Sequence, residues 1–335
     1  MAQNISYAND DAILESLILH ILPDFGPHGD GIINSNGLTA ALNAKGARQI
    51  VDGGLEFWAG ILKAENSNFK WQGKNDDMNA QSQDPNDRLR FPVKVFTGSV
   101  VVNGLDKAMN KGRAMVKNFA MTLREQANTT IKNQFNSAWW DTSPSGDVPE
   151  SVPNLISITP TSGVIGGLNR AGNTHLQNGV DTSGITDIGS EAGIAALEKL
   201  RIEYIGNAAT TADIIVMDSS NFAGLVGYLA SLKRYTANEA LAQLRIPNIQ
   251  LGSATILMEN LVVKGGANTI TAGYVYGINS DHLKIKTLRD GNAKWSTEFE
   301  RIGKSLNKAV FFNWFGNLVV NNPRAHWVAT GVATT

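Results

Sequence analysis

Cysteine is absent from this 335-residue chain. That excludes disulfides, thiolate metal sites and cysteine nucleophiles, and it fits synthesis in a reducing compartment. An excess of one charge is also missing: 29 Lys and Arg stand against 30 Asp and Glu, for a formal net charge of −1. Nucleic-acid readers and membrane-surface binders usually show a basic excess. No stretch approaches the roughly 18 apolar residues of a membrane helix. The chain opens with Asn4, Asn9, Asp10 and Asp11 and no positive charge ahead of its first apolar stretch, unlike a secretory signal. The expectation is a soluble protein made in the cytoplasm, with no membrane partner.

Catalytic signatures are equally scarce. The five histidines, His20, His28, His175, His282 and His326, are scattered, with no pair at ligand spacing. Asn75-Asp76-Asp77 lacks the alternating ligands and closing Glu of a calcium loop. Gly163-Val164-Ile165-Gly166-Gly167 has neither the G-K-[ST] ending of a phosphate loop nor the G-x-G-x-x-G order of a dinucleotide site, so it reads as a backbone turn. Asp181-Thr182-Ser183-Gly184 has no second copy with which to share a proton. No Gly-x-Ser-x-Gly elbow is present. No catalytic residue, cofactor or metal ligand is assigned, and the expectation is a protein that is not an enzyme. An α/β enzyme within about 155–265 is the remote alternative and would need a pocket of convergent ionisable groups.

What is present is a long chain with an ordinary apolar fraction. Its length exceeds one compact core and fits two domains, or one with large excursions. Near the start, Ile13, Leu14, Leu17, Ile18, Ile21 and Leu22 recur at helical spacing until Pro23, a stripe too short to be a domain. A helical patch follows at Gly37–Lys45. Asn68-Phe69-Lys70-Trp71 alternates polar and aromatic residues, and Phe91–Val102 is rich in valine; both read as strands. Between them, 73–90 is almost wholly polar. A loop of that length is functional or disordered more often than not, and a reaching arm that orders on a partner explains it.

Residues 104–138 form the clearest helix, with Leu105, Met109, Val116, Phe119, Leu123, Ile131 and Phe135 on one stripe. Its other face carries Lys107, Lys111, Arg113, Lys117, Arg124 and Lys132, in the plainest reading a solvated face. After an irregular stretch with Pro144, Pro149, Pro153 and Pro160, helices (189–202, 221–232) alternate with strands (212–217, 254–261). Strands at 271–278, 282–287, 308–320 and 327–332 close the chain. The class is α+β.

The order of these parts resembles the major capsid protein of tailed bacteriophages, the Hong Kong 97-type fold. Short strings carry the resemblance: Ile165-Gly166-Gly167-Leu168-Asn169-Arg170 with His175-Leu176-Gln177-Asn178; Ala212 to Met217; Tyr274 to Ile285; and Gly316 to Arg324, running to Thr330-Gly331. The resemblance implies an N-terminal arm (1–30), a peripheral domain with a long spine helix (31–54 and 103–154), an extended β-hairpin loop (55–102), an apical domain (155–267) and further peripheral strands (268–335). It implies a shell subunit that self-assembles through hexamers and pentamers into an icosahedral head around packaged double-stranded DNA, with a portal protein as partner and the virion as location. Only a short arm precedes the body, so a separate scaffolding protein is implied. A near-neutral chain suits such a wall, since a basic one would trap DNA. Phe69, Trp71, Arg88, Arg90 and Phe91 on the loop, with Leu17 and Ile21 on the arm, are the expected inter-subunit contacts, the arginines facing acidic groups. Removing 73–90 is expected to leave a folded, soluble protein that forms no stable shell. Some members weld subunits with a Lys–Asn isopeptide bond; Lys70 and Lys74 face Asn317, Asn321 and Asn322 in that scheme, but no catalytic Glu can be matched to them. An encapsulin-like nanocompartment shell is the alternative that shares the fold.

Overall fold

The computed structural model describes residues 36–63, 65–74, 77, 81–103, 113–182, 184–204, 210–232, 248–259, 270–296, 300–301 and 308–333. In chain order these form α1 (Gly37–Ala44), β1 (Arg48–Val51), β2 (Glu56–Leu62), β3 (Asn86–Pro92), β4 (Lys94–Val102), α2 (Arg113–Trp139) and α3 (Val152–Leu155). Next come β5 (Val164–Ile165), β6 (Leu168–Asn169), β7 (Gly179–Asp181), α4 (Glu191–Glu203), β8 (Ile214–Met217), α5 (Ser219–Leu232), β9 (Asn248–Leu251) and β10 (Ala254–Met258). The last strands are β11 (Val275–Ile278), β12 (Leu283–Leu288), β13 (Lys294–Trp295), β14 (Glu300–Arg301), β15 (Lys308–Val320) and β16 (Trp327–Ala329).

Two six-stranded sheets organise these elements. The first is built on β15. One edge of β15 pairs with β4 from Lys94–Gly316 to Val102–Lys308, and the other edge is shared by β12, β13 and β14. β1 adds in parallel to β12. The second sheet runs β7-β16-β11-β8-β10-β9. Its middle strand, β8, is apolar at every position because both faces are covered. Ile214 and Val216 face a core shared with the first sheet, while Ile215 and Met217 face α4 and α5 through Leu197, Leu200, Phe222 and Leu225. At Gly277 on β11 the Trp327 ring lies where a Cβ would stand, so only glycine lets β11 and β16 pack.

Helix α2 spans 27 residues, roughly 40 Å at ~1.5 Å per residue. Its last turns anchor it: Ile131, Phe135 and Trp139 are buried. The Phe135 ring lies 5.0 Å from Trp314 and 5.1 Å from Phe96, between β15 and β4. α1 docks beside this end. Asn36 caps α1 by accepting from the Thr39 N–H, and its amide donates to Asn136 of α2 at 2.7 Å. The Trp139 indole N–H donates to Thr39 Oγ1.

Three sequence expectations change here. Asn68–Trp71 is not a strand; the hairpin strands are β2 and β3, and the segment lies in the tip between them. Asn86–Arg90, expected in the polar loop, belongs to strand β3, with Arg88 and Arg90 on one face and Asp87, Leu89 and Phe91 on the other. Phe91–Val102 is two strands in two sheets, divided at Val93. Residues 1–35 and 104–112, with the N-terminal stripe and the first turns expected for the spine helix, lie outside the described residues.

Candidate assembly interface

The β2–β3 hairpin runs in register from Glu56–Pro92 to Leu62–Asn86. Strict alternation gives it two unlike faces. Phe57, Ala59, Ile61, Leu89 and Phe91 join the core, with Leu89 and Phe91 completely covered. Phe91, expected at an inter-subunit contact, is therefore a core residue of its own chain. On the outer face the Arg88 and Arg90 guanidinium groups lie 5.5 and 5.1 Å from the Trp58 ring. Both arginines are held over an aromatic face, a cation–π arrangement.

The hairpin is pinned at its edge. The Arg90 N–H donates to the Gly166 carbonyl at 2.9 Å. Gly166 has φ 54°, and a Cβ there would sit 2.7 Å from Leu89. The glycine-rich 163–167 stretch is thus a turn shaped to meet the hairpin. His175 Nε2 and Asp87 Oδ2 lie 3.2 Å apart, fastening β3 to the 174–176 turn.

Beyond Leu62 the chain leaves the body. The Lys63 N–H donates to the Pro85 carbonyl, the last rung at the neck of the tip. Farther out the bracing is polar: the Asn68 amide donates to the Gln81 carbonyl and its oxygen accepts the Gln81 N–H, while Gln83 bonds to Ser67. From this polar frame Phe69 and Trp71 protrude, 85% and 104% exposed. Both were expected contacts, and the structure brings them together on one tip. Leu17 and Ile21 lie outside the described residues.

A cleft that sequence reading missed opens at the other end of the hairpin. It holds about 260 Å³, with Val95 and Phe96 of β4 on one side, Val148 and Pro149 on the other, and Trp314 of β15 below. Asp141 and Asp147 stand at it. The Lys94 ammonium donates to the Gly146 carbonyl, fixing the 142–148 loop over β4. These residues come from four separated segments, so no local motif announces them. A second cleft of about 480 Å³ follows β4 under α2.

The buried ionisable groups are structural. Arg170 donates to Asn178 Oδ1 at 3.0 Å and to the Asn154 and Leu155 carbonyls at 2.7 and 2.8 Å; burial lowers it to about 10, and Glu150 opposes the shift. His326 is lowered to about 3 by burial and by His282, so it is neutral; its Nδ1 accepts the Asn279 N–H. Asn317 accepts the Glu150 and Leu318 N–H groups and donates to the Pro92 carbonyl. Its amide is fully committed inside the chain, with none of it exposed. Asn321 Oδ1 lies 2.8 Å from His282 Nδ1. Among the described residues no group of three His, Asp or Glu side chains has metal-site geometry, and no helix is long and apolar enough to cross a membrane.

No family model and no curated protein matches the sequence. Solved structures do match. A capsid asymmetric unit of cyanophage A-1(L) superposes with a TM-score of 0.58 at 11% identity, over 84% of this chain and 90% of that one. The capsid of an empty GTA particle gives 0.53 at 12% identity, over 86% and 89%. The holo-SrpI encapsulin complex of Synechococcus elongatus gives 0.51 at 9% identity, over 88% of each chain. The α+β fold of this chain is thus the one seen in solved tailed-phage capsid proteins, the Hong Kong 97-type fold.

Proposed function

We propose that this chain is a major capsid protein: it self-assembles through hexamers and pentamers into the icosahedral head of a tailed bacteriophage, around packaged double-stranded DNA. The observation that carries this reading is a capsid-type fold joined to a tip that displays two large aromatics to solvent. Exposed tryptophan is what protein interfaces use as an anchor. Apolar groups held out on a polar frame gain nothing until a partner covers them.

In this reading residues 56–92 are the extended loop, α2 is the spine helix, the β15 sheet belongs to the peripheral domain and the β8 sheet to the apical domain. Subunits meet through heterologous contacts repeated by symmetry. Each contact is modest, and the lattice multiplies it. The protein acts as structure, without a catalytic step. A portal protein and a separate scaffolding protein are its partners, DNA is held by proximity alone, and assembly takes place in the bacterial cytoplasm before the protein resides in the virion.

Expression of the chain in bacteria, followed by sedimentation and negative-stain electron microscopy, tests this. Closed shells, tubes or capsomer rings are expected, alone or with the scaffolding protein. A monomer under both conditions removes the reading. The likeness to an encapsulin favours one second reading, a nanocompartment shell. Fold does not separate the two; nuclease-protected DNA inside the particles selects the capsid, and enclosed cargo enzyme selects the compartment.

A further inference from the structure

We infer that the cleft between Val95 and Val148 receives Trp71 from the loop tip of a second copy of this chain. This rests on the shell reading and names the receiving site for that contact.

The tip cannot serve its own cleft. β2 and β3 pair over seven residues, Glu56 to Leu62 against Pro92 to Asn86. At ~3.3 Å per residue the hairpin is about 23 Å long. The cleft begins at Lys94, just past the Pro92 end. Trp71 lies beyond the opposite end, after Leu62. One end of the hairpin thus carries an uncovered aromatic and the other an open apolar slot, and only another copy can join them.

Size and charge agree. At about 260 Å³ the cleft is smaller than the roughly 300–1,000 Å³ sites that hold drug-sized ligands. It suits a single large side chain instead. Its walls include Val95 and Val148, 55% and 36% exposed in the free chain. Asp141 and Asp147 outnumber Lys94, whose ammonium is held by the Gly146 carbonyl, and leave the edge net negative. Trp71 is flanked by Lys70 and Lys74, and the stretch from Asn66 to Lys74 contains no acidic residue. Both lysines are exposed and make no ion pair among the described residues. An indole between two ammonium groups complements an apolar slot beside two carboxylates.

The geometry also sets the symmetry. A contact from one end of the hairpin to the other is heterologous, because each subunit gives a tip and takes a tip. Such contacts close into rings when the rotation permits.

The absence of cysteine makes the test clean. Gln72→Cys and Val148→Cys are combined in one chain, and assembled material is treated with a short bismaleimide. A ladder of covalent dimers, trimers and larger oligomers is expected on a denaturing gel, with no ladder from either single variant. In parallel, Trp71→Ala should raise the concentration needed for assembly about thirtyfold, as loss of a buried aromatic anchor does. Lys70→Glu with Lys74→Glu should weaken assembly, and adding Asp141→Lys with Asp147→Lys should restore it. Particles that form normally from the double-cysteine chain without a ladder, together with no rescue by charge exchange, overturn the cleft assignment and leave the shell reading standing. An unmodified chain that never assembles, with or without its scaffolding partner, overturns both.

Discussion

Glu259 gives the sharpest prediction about stability. It follows the last residue of β10 and is 1% exposed. Its Oε2 accepts the Leu38 N–H at 3.0 Å, near the start of α1. Burial lifts the carboxyl to about 7, while the Leu38 hydrogen bond and the positive charge of Lys132 on α2 pull the other way. The folded chain therefore holds the proton more tightly than the unfolded chain, whose carboxyl titrates near 4.5. Stability contributed by this group is complete below about 4.5 and declines as pH rises through about 7. A difference of about 2.5 pH units corresponds to about 3 kcal/mol at ~1.36 kcal/mol each. Glu259→Gln keeps an acceptor for Leu38 and cannot ionise. Relative to that variant, the parent should lose about 3 kcal/mol between pH 4.5 and pH 8. With about 2.1 cal/mol/K of unfolding entropy per residue, the difference in Tm should move by about 4 °C across that range. Differential scanning calorimetry of the unassembled protein at both pH values reads this directly. Tm profiles that stay parallel from pH 4.5 to pH 8 would refute the reasoning, since they would mean that the carboxyl gains enough from α1 and Lys132 to ionise at no cost.

Three further outcomes follow from the packing. Arg170→Met should cost about 3 kcal/mol in chemical denaturation, because it strands the Asn154 and Leu155 carbonyls and leaves Asn178 Oδ1 with only the Ser157 N–H; Arg170→Lys should recover only part, having lost the planar fork. Gly277→Ala should destabilise by about 2–3 kcal/mol, since the Trp327 ring must leave its place and β11 and β16 must separate, and near-ultraviolet circular dichroism should report the displaced indole. Removing 73–90 is no longer the right deletion, because it takes Leu89 out of the core. Replacing 65–83 by a short turn keeps the Lys63–Pro85 rung; it should unfold within about 1 kcal/mol of the parent and form no stable shell in electron micrographs.

The sequence was most readable where one strand or helix decides its own partners. β15 has the predicted bounds, 308–320, because its aromatic and β-branched residues run unbroken by proline. β8 is legible as an apolar run buried on both faces. The hairpin was misread for a physical reason. In β2 the inward alternation of Phe57, Ala59 and Ile61 is masked by Trp58 on the outer face, where Arg88 and Arg90 cover it. In β3 the outward Arg88 and Arg90, with Asp87 among the inward residues beside His175, make a strand look like a solvated loop, although Leu89 and Phe91 keep the period of two. Asn68–Trp71 shows the reverse error, with alternation and no neighbouring strand to pair with. Phe69 and Trp71 could be picked as exposed candidates because large aromatics in a polar setting are conspicuous. The cleft could not, since Val95, Val148 and Trp314 meet only after the first sheet has formed.

The order of synthesis gives β15 a further consequence. β4 pairs with residues 308–316, β1 needs β12 at 285–288, and β7 needs β16 at 327–329. Strands made early on the ribosome thus wait for partners made more than a hundred residues later. Until residues 308–329 have emerged, β4 lacks its partner and β7 has only solvent on that edge. Contacts so distant along the chain form slowly, and open strand edges invite pairing with other nascent copies. A cell making this protein in bulk therefore faces its greatest aggregation hazard before the final strands appear, and shielding by a chaperone during that interval should raise the yield of assembly-competent subunits more than any change to the finished fold.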